Sequence, residues 1–352
     1  MNKRVSVPWL SHRLWAKLGL LVLLGLAIHW LLPMLASLEH SWQVFVTLTP
    51  WAVGMALLAQ LFSYIASGYM MQALLGLTSQ QIRLWRSTLI FLGAASIGLA
   101  AGGMVGSSAA IYLWANDQNG NPEGATLASL VPGYLNNLIL ALIAILGLVH
   151  LFLVHNLTQV QLIGFGATVL IIAVITCVVG LALRYRDQAA QITVRMYGEL
   201  ARLRRKPYDP EGTRATMDKL YAAWGVFRRG AWRKPVLGAF LSVVFDMLTL
   251  YFMFIAAGHT VSAGVLMTGY GLPLLLGKVA FVVPGGIGVV EASMVAMYTG
   301  LGIPQPIAVV VVLGYRFISF WIPTILGFPV ATYLQRHLSL NTERKQVSDA
   351  TR

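Results

Sequence analysis

Long apolar runs separated by short polar stretches pattern the chain from residue 18 to residue 333. The runs occupy 18–34, 50–72, 84–114, 127–154, 160–183, 235–257, 261–283, 287–301 and 307–333. Several approach or exceed the ~20 apolar residues a helix needs to cross a bilayer core. Two regions are interrupted at their centres. Gly-Leu-Ala-Ala-Gly-Gly-Met-Val-Gly at 98–106 divides the run 84–114, and Pro284-Gly285-Gly286 separates 261–283 from 287–301. The pattern predicts an all-α polytopic membrane protein with about six full spans and two broken, re-entrant hairpins. The first run follows a basic start but lacks a small-x-small cleavage site, since Met34 stands two before Ala36, so it reads as an uncleaved anchor. The expected organisation is two membrane halves, 1–183 and 235–336, a basic cytoplasmic segment 184–234, and a disordered cytoplasmic tail 337–352.

Composition agrees. Apolar residues make up 57% of the 352 and charged ones only 11%, with a mean hydropathy of +0.72. Soluble domains carry about 25% charge. A lone cysteine, Cys177, excludes a disulfide scaffold. The net charge of +13 is concentrated in short stretches, so it reads as membrane topology and not as affinity for nucleic acid. Thirteen of the 25 cations fall between Arg184 and Lys234, and only Lys278 and Arg316 lie inside apolar runs. Among the 12 acids, Asp246 and Glu291 lie inside apolar runs as well.

The basic N-terminus and the basic segment both belong on the cytoplasmic side, yet five apolar runs lie between them. Five crossings would put them on opposite sides. One run must therefore turn back, and 84–114, entered after Arg83 and Arg86, is the candidate. Its second arm is expected to be short, 107–114, with 115–125 as a cytoplasmic loop. Pro284-Gly285-Gly286 offers an inverted counterpart entered from outside, because glycine supports the dihedrals of a tight turn and proline ends a helix. A glycine turn followed by a helix in each half points to an inverted repeat, a plan of many transporters.

Charges at bilayer depth cost at least ~2.5–3.5 kcal/mol each on insertion scales, so the four intramembrane ones are candidates for function. Gly285, Gly286 and Gly288 precede the helix of Glu291, and a helix N-terminus favours an anion. Arg316 offers a planar fork for phosphate, with Tyr315 beside it. One reading is a lipid headgroup held by Lys278, Arg316, Tyr315 and the Gly285, Gly286 and Gly288 turn. Glu291 and Asp246 then compensate charge or take up a proton. The other reading is two structural pairs, Lys278–Glu291 and Arg316–Asp246. Met217, Leu220, Tyr221, Trp224 and Phe227 form a helical stripe followed by Arg228, Arg229, Arg233 and Lys234, which suits either an interfacial helix on anionic headgroups or a solvated loop that sets topology. The seven histidines show no metal-ligand spacing, and no cofactor is expected.

The stretch Val283–Ala292, then Gly302-Ile303-Pro304, Tyr315-Arg316 and Trp321-Ile322-Pro323, resembles the C-terminal signature of the flippase-like family related to the transmembrane domain of lysylphosphatidylglycerol synthase. Members often carry Arg before the motif glutamate, where this chain has Val290. The first-half counterpart, Gly102 to Ser107, lacks the family's proline, acid and later arginine. The resemblance implies a multi-pass protein of the bacterial inner membrane, with both termini cytoplasmic, concerned with lipid translocation. The expected cargo is an anionic phospholipid or a polyprenyl-phosphate-linked lipid. With only a short tail after Arg336, no aminoacyl-lipid synthesis is expected. The alternatives are a membrane-embedded transferase, disfavoured by the lack of paired aspartates or a histidine–aspartate pair, and a non-catalytic subunit or scaffold for a lipid-synthesis enzyme.

Overall fold

The computed structural model describes residues 43–100, 103–119, 122–154, 177–178, 180–182, 184–203, 232–279 and 286–350, with isolated positions between 210 and 225. The expected span 18–34 and most of 160–183 lie outside the described residues. Every regular element within them is helical. In chain order these are α1 (Pro50–Gly76), α2 (Leu84–Ala100), α3 (Met104–Asn119), α4 (Pro122–Val154) and α5 (Arg186–Leu203). Then come α6 (Arg233–Ala256), α7 (Ala263–Val279), α8 (Val289–Gly300) and α9 (Gln305–Arg316). A π-helical turn, Phe317–Trp321, joins α9 to α10 (Ile322–Ala350) without a break. Pro50 opens α1 at a position where the missing N–H is no loss, and α9 also has a proline in its first turn.

Four stretches are long and apolar enough to cross a membrane: Pro50–Gly76, Pro122–Leu153, Arg233–Ala256 and Gln305–Arg336. Each half of the described chain thus reads span, hairpin, span. The first half is α1, the α2/α3 hairpin and α4, and the second is α6, the α7/α8 hairpin and α9–α10. The equivalent helices α1 and α6 pack along each other in opposite directions. The Thr49 N–H, at the start of α1, donates to the Ala256 carbonyl at the end of α6 (2.9 Å). Near the opposite ends, a Cβ on Gly238 would lie 2.8 Å from Met70 Cα. Antiparallel equivalents are what an inverted repeat requires.

The halves interlock, for the first arm of each hairpin packs on the closing span of the other half. In α4 and α7, Gly271 meets Ala144, Gly147 meets Thr268 and Gly264 meets His150. This antiparallel register, continued to Val279, brings the end of α7 level with Asn136, midway along α4. In α2 and α10, Ser96 Oγ donates to the Thr324 carbonyl (2.7 Å) and Gly93 abuts Ala331. Continued to Ala100, that register ends α2 beside the π-helical turn, midway along Gln305–Arg336. Both hairpins therefore turn back at mid-depth. Their arms are too short to do otherwise: α8, with 12 residues, is ~18 Å long against a ~30 Å hydrocarbon core. Leu57, Leu58, Leu61 and Phe62 of α1 are exposed, as lipid-facing side chains should be.

Two local expectations are corrected. The second arm of the first hairpin is not 107–114 but runs from Met104 to Asn119, so most of the expected loop 115–125 is helical. No residue from 107 to 119 is a proline or glycine that would stop it. Likewise the tail beyond residue 336, expected to be disordered, is helical backbone through Ala350. No glycine or proline follows Pro329 in that stretch.

Candidate functional site

The core of the site is built on α8 and α9. Gly288 has φ +82°, a conformation that L side chains rarely adopt, and serves as the N-cap of α8. Its N–H donates to Glu291 Oε2 (2.6 Å), while Glu291 Oε1 accepts from Arg316 Nε (2.6 Å). One carboxylate thereby closes its own helix and holds a guanidinium. Glu291 and Arg316 are 4% and 6% exposed, so the pair is effectively desolvated. The Arg316 guanidinium also lies over the Phe320 ring, 4.4 Å from its centre. Tyr315, the neighbour of Arg316, turns to another acid. Its hydroxyl donates to Asp246 Oδ2 (2.7 Å), and so does that of Tyr270 (2.8 Å). Asp246 on α6 is thus tied to the re-entrant arm α7 and to α9.

These groups border a cavity of about 220 Å³. Asp246, Arg316, Tyr270 and Tyr315 line it, together with Gln60, Ser63, Tyr64 and Ser67 of α1. Asn136 of α4 and Ser319 of the π-helical turn complete its polar wall. Each of these spanning helices contributes residues from its middle turns, so the cavity lies at mid-depth. Ser67 Oγ and Ser242 Oγ share a hydrogen bond (2.7 Å), Ser63 donates to the Ser242 carbonyl (2.9 Å), and Thr249 donates to Gln60 Oε1 (3.0 Å). The two equivalent helices are therefore joined by hydroxyls and amides along the wall of the cavity.

The structure brings together Arg316, Glu291, Gly288, Tyr315 and Asp246. Of the two structural pairs read from the sequence, Lys278–Glu291 involves a side chain outside the described set. In place of Arg316–Asp246, among the described residues Arg316 forms its ion pair with Glu291, and Asp246 accepts from two phenols. The reason is helical spacing: the short α8 presents Glu291, in its first turn, directly to the end of α9. Lys278 belongs to α7, with its side chain outside the described set, and Gly285, Arg228 and Arg229 are outside the described residues. Gly286 (φ +63°) lies in the turn beside Gly277 and Val290. Arg233 and Lys234 are exposed at the start of α6, away from the cavity. Of the amphipathic stripe, Tyr221 is described. Its hydroxyl donates to the Ala182 carbonyl (3.1 Å), under Arg186. Sequence reasoning missed Gln60, Asn136, Tyr270 and the serine cluster. The available signal was an uncharged polar residue at the centre of a spanning run.

Two interlocked helical hairpins, whose first arms help line a polar mid-depth cavity, define a class: multi-pass helical membrane proteins. Comparison with known proteins gives the family. The description of the lysylphosphatidylglycerol synthase transmembrane region matches residues 18–327, and the chain belongs to that family. It is also similar to UPF0104 membrane proteins of archaea. One from Methanocaldococcus jannaschii is 28% identical over 37% of this chain and 40% of its own length. One from Pyrococcus horikoshii is 23% identical over 68% of this chain and 73% of its own. One from Methanothermobacter thermautotrophicus is 25% identical over 56% and 59%. The chain thus spans from two fifths to about three quarters of these relatives.

Proposed function

We propose that the protein carries the headgroup of an anionic phospholipid, or of a polyprenyl-phosphate-linked lipid, between leaflets without making or breaking a covalent bond. The observation that carries this reading is the polar cavity at mid-depth, lined in part by the first arm of each hairpin (Phe91; Tyr270 and Leu274) and bordered by Arg316 and Asp246. A lipid that changes leaflet must bring its headgroup through this depth, where a charge otherwise meets hydrocarbon. Arg316 supplies the cation for a phosphate. Glu291 can yield part of its hold on Arg316 and remain bonded to the Gly288 N–H, so competition by a phosphate leaves the carboxylate capped. The inverted hairpins supply the moving parts, each opening toward the face from which it enters. In the proposed setting, a bacterial inner membrane with cytoplasmic termini, the α2/α3 hairpin enters from the cytoplasm and α7/α8 from outside.

The test is reconstitution of the purified protein in liposomes with fluorescently labelled phosphatidylglycerol, followed by quenching of the outer-leaflet label. Movement by wild type and its loss in folded Arg316→Ala supports translocation. Full movement in that variant ends the assignment of Arg316. Product formation without movement identifies a transferase, and neither result leaves a scaffold for a lipid-synthesis enzyme.

A further inference from the structure

The cavity contains more hydrogen-bond acceptors than a phosphate can use. Among the described residues, the carboxylate of Asp246 meets the phenols of Tyr315 and Tyr270 and the amide of Gln60. It feels the charge of Arg316, but its contact with that cation is not an ion pair, since Arg316 is engaged by Glu291. On the α4 wall, the amide oxygen of Asn136 is buried with no hydrogen-bond partner. Buried acceptors of this kind normally have a donor. Around them stand groups that both donate and accept, the hydroxyls of Ser63, Ser67, Ser242, Tyr64 and Ser319. Phe91, Phe320 and Tyr270 add ring surface.

We propose that the cavity recognises a hydroxylated headgroup, a polyol or sugar carried on the lipid phosphate. This rests on the lipid-translocation reading and names its cargo chemistry. Of two hydroxyls on a polyol, one can donate to Asp246 and the other to Asn136, and in the same pose both can accept from the serines and Arg316. An ammonium can only donate, and a quaternary amine does neither. The aromatic rings meet the C–H faces of such a headgroup, as they would those of a sugar. A volume of about 220 Å³ is well beyond what a single water occupies and leaves room for a short polyol. Arg316 anchors the phosphate, and Asp246 and Asn136 read the hydroxyls.

The experiment is native mass spectrometry of the purified full chain, offered equal amounts of lipids with identical acyl chains. The lipids are phosphatidylglycerol, phosphatidylinositol, phosphatidylmethanol, phosphatidylethanolamine and phosphatidylcholine. Phosphatidylmethanol has the charge of phosphatidylglycerol and no headgroup hydroxyl. Retention of the two hydroxylated lipids is expected to exceed that of phosphatidylmethanol by about tenfold, the effect of one or two well-made hydrogen bonds. Asn136→Leu, and separately the isosteric Asp246→Asn, should reduce that preference at least threefold, read as the ratio of phosphatidylglycerol to phosphatidylmethanol retained by the same protein. Equal retention of phosphatidylglycerol and phosphatidylmethanol overturns the proposal, as does a preference for phosphatidylethanolamine or an unchanged preference in both variants. Selective retention without movement in liposomes leaves the recognition site standing and removes translocation. Movement with no headgroup preference does the reverse.

Discussion

Arg316 and Asp246 border the same cavity yet answer to different partners, and their substitutions should therefore behave differently. Removing one member of a buried pair leaves the other charge uncompensated, which costs about 3–5 kcal/mol. Glu291→Ala should lower stability by that order in detergent denaturation, because it removes a buried carboxylate from Arg316 and uncaps α8 together. Glu291→Gln can still accept from the Gly288 N–H, so its loss should be clearly smaller. Equal losses in the two variants would show that the helix cap contributes nothing. At Asp246, Tyr270→Phe and Tyr315→Phe each delete one donor to a part-buried carboxylate oxygen, at about 1–3 kcal/mol apiece by the same measurement. All four intramembrane charges are legible in the sequence as interruptions of apolar runs. Their pairing is not, because Glu291 and Arg316 lie 25 residues apart and meet only through the turn between α8 and α9.

Glycine sets the distance between the helices that carry the hairpins. A Cβ on Gly147 would lie 2.6 Å from the Thr268 backbone nitrogen, and one on Gly271 2.7 Å from Ala144 Cβ. Neither contact can relax without moving α7 off α4. Gly147→Val and Gly271→Val are accordingly expected to lower the thermal midpoint in detergent and to weaken lipid movement. Gly54→Ala, where nothing lies within 4 Å, should leave the midpoint unchanged or slightly raised. A midpoint unmoved by the valines would show that the α4–α7 contact is not tight. The hairpins themselves are readable from the sequence, through the glycine runs and the parity of basic segments. The length of α3 is not, since residues 115–119 are polar enough to read as loop while nothing in them breaks a helix.

For the molecule as a whole, the decisive property is direction. If the α2/α3 hairpin returns to the cytoplasm, residue 119 and residue 259, which follows α6, face opposite sides. In a Cys177→Ser background, Asn119→Cys and His259→Cys should label with an impermeant maleimide from opposite faces of oriented vesicles. Labelling of both from one face would remove the inverted arrangement. The pairing of α1 with α6, seen in the Thr49–Ala256 hydrogen bond, places the equivalent helices of the two halves side by side at the centre. The two halves share too little sequence to announce this. A glycine turn in each is the sole visible trace, and the family's first-half acid and arginine are missing here.

Apolar run length and the distribution of lysine and arginine are local quantities, and by themselves they determine that this chain crosses a membrane, where it turns back and which charges are held at depth. Those statements follow from the free energy of placing each segment in hydrocarbon, which depends on little beyond the segment. Only the tertiary structure decides which acid meets Arg316, that two phenols donate to Asp246, and that Gln60, Asn136 and four serines share one cavity. Such contacts depend on helix register and on the close approach that glycines permit, and both arise only when the two halves interlock.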